Sequence, residues 1–200
     1  TGWESLTPRG KVYLLKYLTT KDSLFDKILG QKITDFLTGK GRISLEEAMA
    51  KIYTCTLCSR CETICHVDID FHQYWEEIRK WMVENNIKPP KNTIDMYKNI
   101  ANEGYKNPFM EPASKRDEWY RDEYQLPEKA DIVYFIGCMT SYHEYRVLLN
   151  TLKVFTTAGL NFTTLGTDEM CCGAINTMSG QWDNFKKIAE YNVGQVEKRG

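Results

Sequence analysis

Apolar positions recur with helical spacing through the first third of the chain. Val12, Leu15 and Leu18 share one face of a segment that Thr7 can cap and Pro8 can open, which predicts a helix over 7–19. Leu24, Ile28, Ile33 and Phe36 repeat the pattern over 23–37, with an interruption at Gly30. Over 44–54, Ser44 and Glu47 have the spacing of a capping box, and Leu45, Ala48 and Ile52 form an apolar stripe. A further helix is predicted over 70–85, with Phe71, Tyr74, Ile78 and Trp81 facing inward.

The pattern then changes. Five of the six prolines (Pro89, Pro90, Pro108, Pro112 and Pro127) fall within 86–130, among many charged residues and tyrosines. Such composition predicts an extended connector with one short helix near 92–102. After it, DIVYFIG at 131–137 has the continuous apolar character of a buried strand. A helix over 143–158 follows, with Tyr145, Leu148, Leu149, Leu152 and Phe155 on one face and Gly159 at its end. A second short strand is predicted at 161–166. A last helix spans 181–199, with Phe185, Ile188, Ala189, Val193 and Val196 inward. Strand, helix, strand, helix implies a parallel βαβα unit with right-handed crossovers, in which ligands gather at the carboxyl ends of the strands.

The expected architecture is therefore α followed by α/β. A helical domain occupies 1–86, a proline-rich connector 87–130, and an α/β portion 131–200. Composition changes this picture little. Among 200 residues, 42% are apolar, enough for a buried core, and the net charge is −1. That balance disfavours nucleic acid as a partner, because phosphate binding needs a surplus of Lys and Arg. No apolar run approaches the roughly 20 residues of a membrane span, and no signal peptide is evident. The chain starts at Thr1 and stops at Gly200 next to helical patterns, which predicts a segment of a longer protein.

The cysteines carry the chemistry. Cys55, Cys58, Cys61 and Cys65 stand two, two and three residues apart in CTLCSRCETIC, between two predicted helices. An odd total of seven cysteines and the lack of a secretory signal disfavour disulfides. Zinc sites usually draw on two separated cysteine pairs. The compact run instead suits an iron–sulfur cluster, and it has the spacing of bacterial ferredoxin-type motifs. In that motif the fourth cysteine is followed by proline, whereas here His66 follows. It is read as a turn residue, the alternative being a ligand or proton carrier. Arg60, inside the loop, is either a solvated cation or one that raises the cluster potential. Where two such runs pair, the fourth cysteine serves the other cluster. The spacing leaves open whether Cys65 shares a cluster with Cys55, Cys58 and Cys61. Cys138, at the end of the first predicted strand, and Cys171-Cys172-Gly173, just beyond the second, point to one rim. A shared metal centre and inert thiols both remain open there. The many Tyr and Trp residues, including Trp75, Trp81 and Trp119, are read as core and interface.

CTLCSRCETIC, the upstream TPRGKVYLL, and Cys138 with the distant Cys171-Cys172-Gly173 together resemble the D-type family of heterodisulfide reductase catalytic subunits. Its relatives include iron–sulfur subunits of glycerol-3-phosphate, glycolate and lactate oxidation complexes, and the K-type subunit of membrane complexes linked to dissimilatory sulfite reduction. The likeness runs from about Trp3 to Gly200 and leans towards the heterodisulfide and sulfite-linked branch. It implies a helical ferredoxin-like domain followed by part of a CCG domain. Cys55, Cys58, Cys61 and Cys65 would hold cubane [4Fe-4S] clusters that relay electrons. Cys138, Cys171 and Cys172 would be ligands of a catalytic cluster, of noncubane type in the best-matching relatives. That motif closes with a later C-x-x-C, which lies beyond Gly200, so the site is at most half present here. The reaction implied is reduction of a small-molecule or protein-borne disulfide, persulfide or related sulfur substrate. The implied partners are other subunits of a redox complex, such as a membrane cytochrome b or a quinone-reactive subunit. The implied location is cytoplasmic, held at the inner face of the membrane through such a partner. Two other readings compete: a pure electron-transfer subunit between a flavin dehydrogenase or membrane cytochrome and the quinone pool, and a zinc-stabilised scaffold.

Overall fold

The computed structural model describes residues 6–19 and 50–200. The patterns over 23–37 and at Ser44 and Glu47 lie outside the described residues. The chain divides into two compact units, Thr1–Trp81 and Met82–Gly200.

In the first unit, helix α1 (Pro8–Thr19) begins as expected, with Thr7 Oγ1 accepting a hydrogen bond from the Gly10 N–H at 3.1 Å. It differs from the prediction at Val12, while the side chains of Leu15 and Leu18 lie outside the described ones. Lys11 is buried, whereas Val12 is exposed. Residues 50–53 are helical and lead into the cysteine run. A short helix, α2 (Arg60–Thr63), sits inside the run, and α3 (Phe71–Glu84) follows it, with the unit boundary inside α3.

The face of α3 also differs from the apolar reading. Trp75, Arg79 and Met82 are buried, while Tyr74 and Trp81 are exposed. The cause is the Arg79 side chain. Its Nη2 donates to the carbonyl oxygens of Ile52 at 3.1 Å and Cys55 at 2.6 Å, and its guanidinium lies over the Tyr53 ring. A buried cation that closes two backbone carbonyls outweighs the burial of one more aromatic ring.

The second unit opens with α4 (Lys91–Ile100), close to the expected short helix. The rest of the proline-rich segment is packed, not extended. Asn107 and Arg116 are fully buried and Tyr120 is nearly so. Asn107 holds a tight loop. Its Nδ2 donates to the carbonyls of Tyr105 and Glu111, and its Oδ1 accepts from the Phe109 N–H.

Strand β1 (Ile132–Tyr134) pairs in parallel with β2 (Phe162–Thr164), in the register Ile132 to Phe162 through Tyr134 to Thr164. Between them come α5 (Cys138–Tyr142) and α6 (Tyr145–Thr157). Leu148 and Leu152 of α6 are fully buried against Ile136, Phe162 and Tyr120. Each such leucine contributes about 1.5–3 kcal/mol. After β2 come α7 (Ala174–Met178) and α8 (Trp182–Glu197). Ile188 of α8 is buried as predicted, but Val193 and Val196 point outward and Asn192 is buried. The reason lies at the cysteines.

Candidate redox site

The two cysteine groups lie in different units. In the first unit, Cys58 stands between two residues in the left-handed region, Leu57 (φ 56°) and Ser59 (φ 55°). Branched Leu57 rarely adopts that conformation, so the packing that buries it holds the turn in place. These reversals bend the loop around Cys58. Helix α3 then ties the loop down two turns apart along one face. His72 Nδ1 lies 3.0 Å from Ser59 Oγ, and Arg79 holds the Cys55 carbonyl. All four cysteines are free thiols, with Cys58 exposed and the others partly so. The Cys58 thiol is held below its usual range, first by the Arg60 backbone N–H and then by the Thr56 hydroxyl.

Two buried cations serve this loop. Lys11 is 4% exposed and Arg79 is 3% exposed. Burial pulls the Lys11 ammonium down, the Cys55 charge pulls it back up, the Arg79 charge lowers it again and Cys61 raises it, leaving it below its ordinary value. Arg60, the cation that lies within the motif, is exposed, and so is His66. Among the described residues no three His, Cys, Asp or Glu side chains converge as they would on a single metal ion. An iron–sulfur cube spaces its thiolates much more widely than one ion does. Four free soft donors on a sharply bent loop with buried cations beside it fit an anionic, thiolate-ligated cluster.

In the second unit the sheet brings together what the sequence separates. Cys138 Sγ and Cys171 Sγ are 3.7 Å apart, and Cys172 is exposed beside them. Cys138 opens α5 directly after Gly137 (φ 81°), at the carboxyl end of β1. Cys171 is buried among Ile100, Met170 and Ile188. Contact with Cys171, with a further pull from the Arg116 charge, lowers the Cys138 thiol. The same contact pushes Cys171 up to about 11, and contact with Cys171 raises Cys172 further. Three soft donors at one rim, the Cys138 thiol among them lowered from its ordinary range, fit part of a cluster-binding set.

Four residues outside the cysteine motif build this rim. Lys106 O accepts the Cys171 N–H at 2.8 Å. Asn192 Oδ1 accepts the Met170 N–H at 3.0 Å, while its Nδ2 donates to the carbonyls of Met170 at 3.2 Å and Cys171 at 3.1 Å. These bonds draw Asn192 inward and leave Val193 and Val196 outside. Glu169 and Arg116 form an ion pair of 2.6 Å with both side chains fully buried. The Glu169 carboxylate also accepts the Ile136 and Gly137 N–H groups, each at 2.8 Å. Burial raises the Glu169 carboxyl, opposed by the Arg116 charge. None of the four was singled out from sequence. Glu169, two residues before Cys171, was the one with a positional hint. Gly173 completes the turn. With φ at 81°, any Cβ there would meet the Phe185 ring at 2.9 Å.

Residues 132–200 match the family described as CCG: Cysteine-rich domain. Over the whole chain it is 30% identical to the D chain of the dihydromethanophenazine:CoB–CoM heterodisulfide reductase of Methanosarcina barkeri, covering 48% of that protein. The Methanosarcina mazei counterpart is 31% identical over 78% of this chain and 38% of its own. The probable iron-sulfur-binding oxidoreductase FadF of Bacillus subtilis is 25% identical over 74% of the chain and 23% of its own. The chain thus spans about half the length of its Methanosarcina barkeri relative. No solved structure matches it. No described helix is long and apolar enough to cross a membrane.

Proposed function

For a chain that carries a CCG domain and is related along its whole length to the D-type subunits of heterodisulfide reductase, we propose an iron–sulfur oxidoreductase subunit with a relay site and a catalytic site. Cys55, Cys58, Cys61 and Cys65 would hold a cubane [4Fe-4S] cluster, and Cys138, Cys171 and Cys172 would supply ligands to a second, noncubane cluster at the CCG rim. When bound, such clusters supply one-electron transfer and a soft iron site for sulfur. The protein's own part is electrostatic and geometric. Lys11 and Arg79 offset the negative charge collected on the first loop. The Arg116 charge favours thiolate at Cys138. The substrate class is a disulfide, persulfide or related sulfur compound, and two electrons are needed to cleave its sulfur–sulfur bond. The electron donor would be a partner subunit, such as a membrane cytochrome b or a quinone-reactive protein, which would hold the chain at the cytoplasmic face of the membrane.

The observation that carries this reading is the 3.7 Å approach of Cys138 to Cys171 across 33 residues of sequence. The experiment is anaerobic purification of the full-length protein, iron and sulfide analysis, and EPR with and without a disulfide substrate. Cys138→Ser is expected to abolish disulfide reduction while leaving the ferredoxin-type signal. Unchanged turnover in that variant would reject the catalytic assignment, and zinc in place of iron would reject both sites.

A further inference from the structure

The Cys138 and Cys171 sulfurs lie on separate segments, and neither segment alone determines their distance. One sits after β1 and the other after β2, and the two strands share three paired positions. Such a short sheet leaves the loops beyond it free to drift. Between those loops stands one carboxylate. Glu169 is two residues from Cys171, and it grips the backbone of Ile136 and Gly137, the two residues before Cys138. Arg116 grips the carboxylate in turn, and its Nη1 lies 3.3 Å from Ser141 Oγ, one turn into α5. Ser141 Oγ returns a hydrogen bond to the Gly137 carbonyl at 2.9 Å. The N–H and the carbonyl of Gly137 are therefore held by the same network.

Burying this pair is costly. Two charges leave water, and the Arg116 Nε and Nη2 groups have no acceptor among the described residues. An apolar pair would fill the same space at lower cost. It would not fix the Gly137 amide to the Cys171 segment, because only an acceptor with two lone-pair-bearing oxygens can hold two adjacent N–H groups and a guanidinium at once.

We propose that Glu169 and Arg116 are positioning residues that set the separation of the Cys138 and Cys171 sulfurs. The proposal rests on the reading of these cysteines as a working pair, but its test needs no cluster. In full-length protein freed of iron, oxidised glutathione reads the geometry directly. Cys138 loses its proton, and its thiolate displaces one glutathione thiolate and forms a mixed disulfide. Cys171 loses its proton and displaces the second glutathione, closing a Cys138–Cys171 bond. The protein gives up two electrons and two protons, and one glutathione disulfide becomes two thiols. The second step is intramolecular, so its rate follows the positioning of the sulfurs.

Glu169→Asp keeps the charge but shortens the reach by one methylene. It is expected to slow closure of the Cys138–Cys171 bond, read by peptide mapping, by roughly ten-fold or more. Oxidation of the Cys55–Cys65 run in the same sample serves as the control, because it lies in the other unit and should keep its wild-type rate. Closure within about two- to three-fold of wild type would overturn the proposal, as would equal slowing of both cysteine groups. Should Glu169→Asp lose its cooperative melt, Ser141→Ala takes its place. It removes the Arg116 and Gly137 contacts of one hydroxyl, and it too must slow closure selectively or the proposal fails. Iron analysis of the untreated protein tests the cluster reading separately.

Discussion

Arg79 Nη2 lies 2.6 Å from the carbonyl oxygen of Cys55, so the helix that follows the cysteine loop reaches back and holds its first residue. The same nitrogen holds Ile52, at the end of the helix that precedes the loop. One buried cation thus joins both flanks of the motif and places positive charge beside it.

Removing that cation has two separable effects. Arg79→Gln is expected to destabilise the first unit by about 2–4 kcal/mol, because buried carbonyls lose a charged donor. In iron-loaded protein it is also expected to move the reduction potential of the cluster to more negative values, since the reduced form carries the extra negative charge. Lys11→Met should move the potential the same way. Urea unfolding and an EPR-monitored redox titration check the two effects, and an unmoved potential in both variants would deny these cations any tuning role.

Asn192 makes three hydrogen bonds to the Met170–Cys171 backbone from a buried position. Asn192→Leu leaves those groups without partners and is expected to cost about 2–4 kcal/mol. Asn192→Asp should cost more than Leu does, because a carboxylate would face two carbonyl oxygens. Denaturant melts of the three proteins give the order.

At Gly173 the backbone conformation and the Phe185 ring both oppose a side chain. Gly173→Ala is expected to lower stability by about 1–3 kcal/mol. Adding Phe185→Leu should recover the part due to the clash and none of the part due to φ. The difference between single and double variants, read from thermal melts, separates the two.

Tyr120 predicts a pH dependence. Burial pushes its phenol up to about 12 from an ordinary 10, partly opposed by the hydrogen bond to Thr164 Oγ1 at 2.8 Å. Above pH 10 the unfolded chain loses this proton while the folded chain keeps it. The folded state then binds more protons than the unfolded state, so stability falls as pH rises. The contribution is complete below pH 10 and is lost between 10 and 12, amounting to about 2–3 kcal/mol. Tyr120→Phe should remove this part of the alkaline slope, as measured by urea midpoints at pH 9 and 11.

The elements most legible in the sequence were those whose evidence is local. Strands at 132–134 and 162–164, the helices over 145–157 and 182–197, and the Thr7 cap follow from periodicity and short-range hydrogen bonding. Helix faces were less legible wherever a polar residue was drawn inside. Arg79 and Asn192 each turn a helix by bonding to backbone carbonyls far along the chain, and no apolar count anticipates that. The proline-rich segment was misleading for a related reason. Its prolines and charges suit a connector, yet Asn107 and Arg116 bury their polar groups by finding partners that composition does not reveal.

Which atoms were available for chemistry, seven thiols in two groups, was written in the residue order alone, because sulfur chemistry and spacing are properties of the chain itself. Their mutual placement was not. The approach of Cys138 to Cys171, the grip of Glu169 on Gly137 and the burial of Lys11 and Arg79 beside the first loop were decided by tertiary structure. Each depends on charges and hydrogen bonds between residues distant in sequence, and these acquire their strength only once folding has removed water from around them.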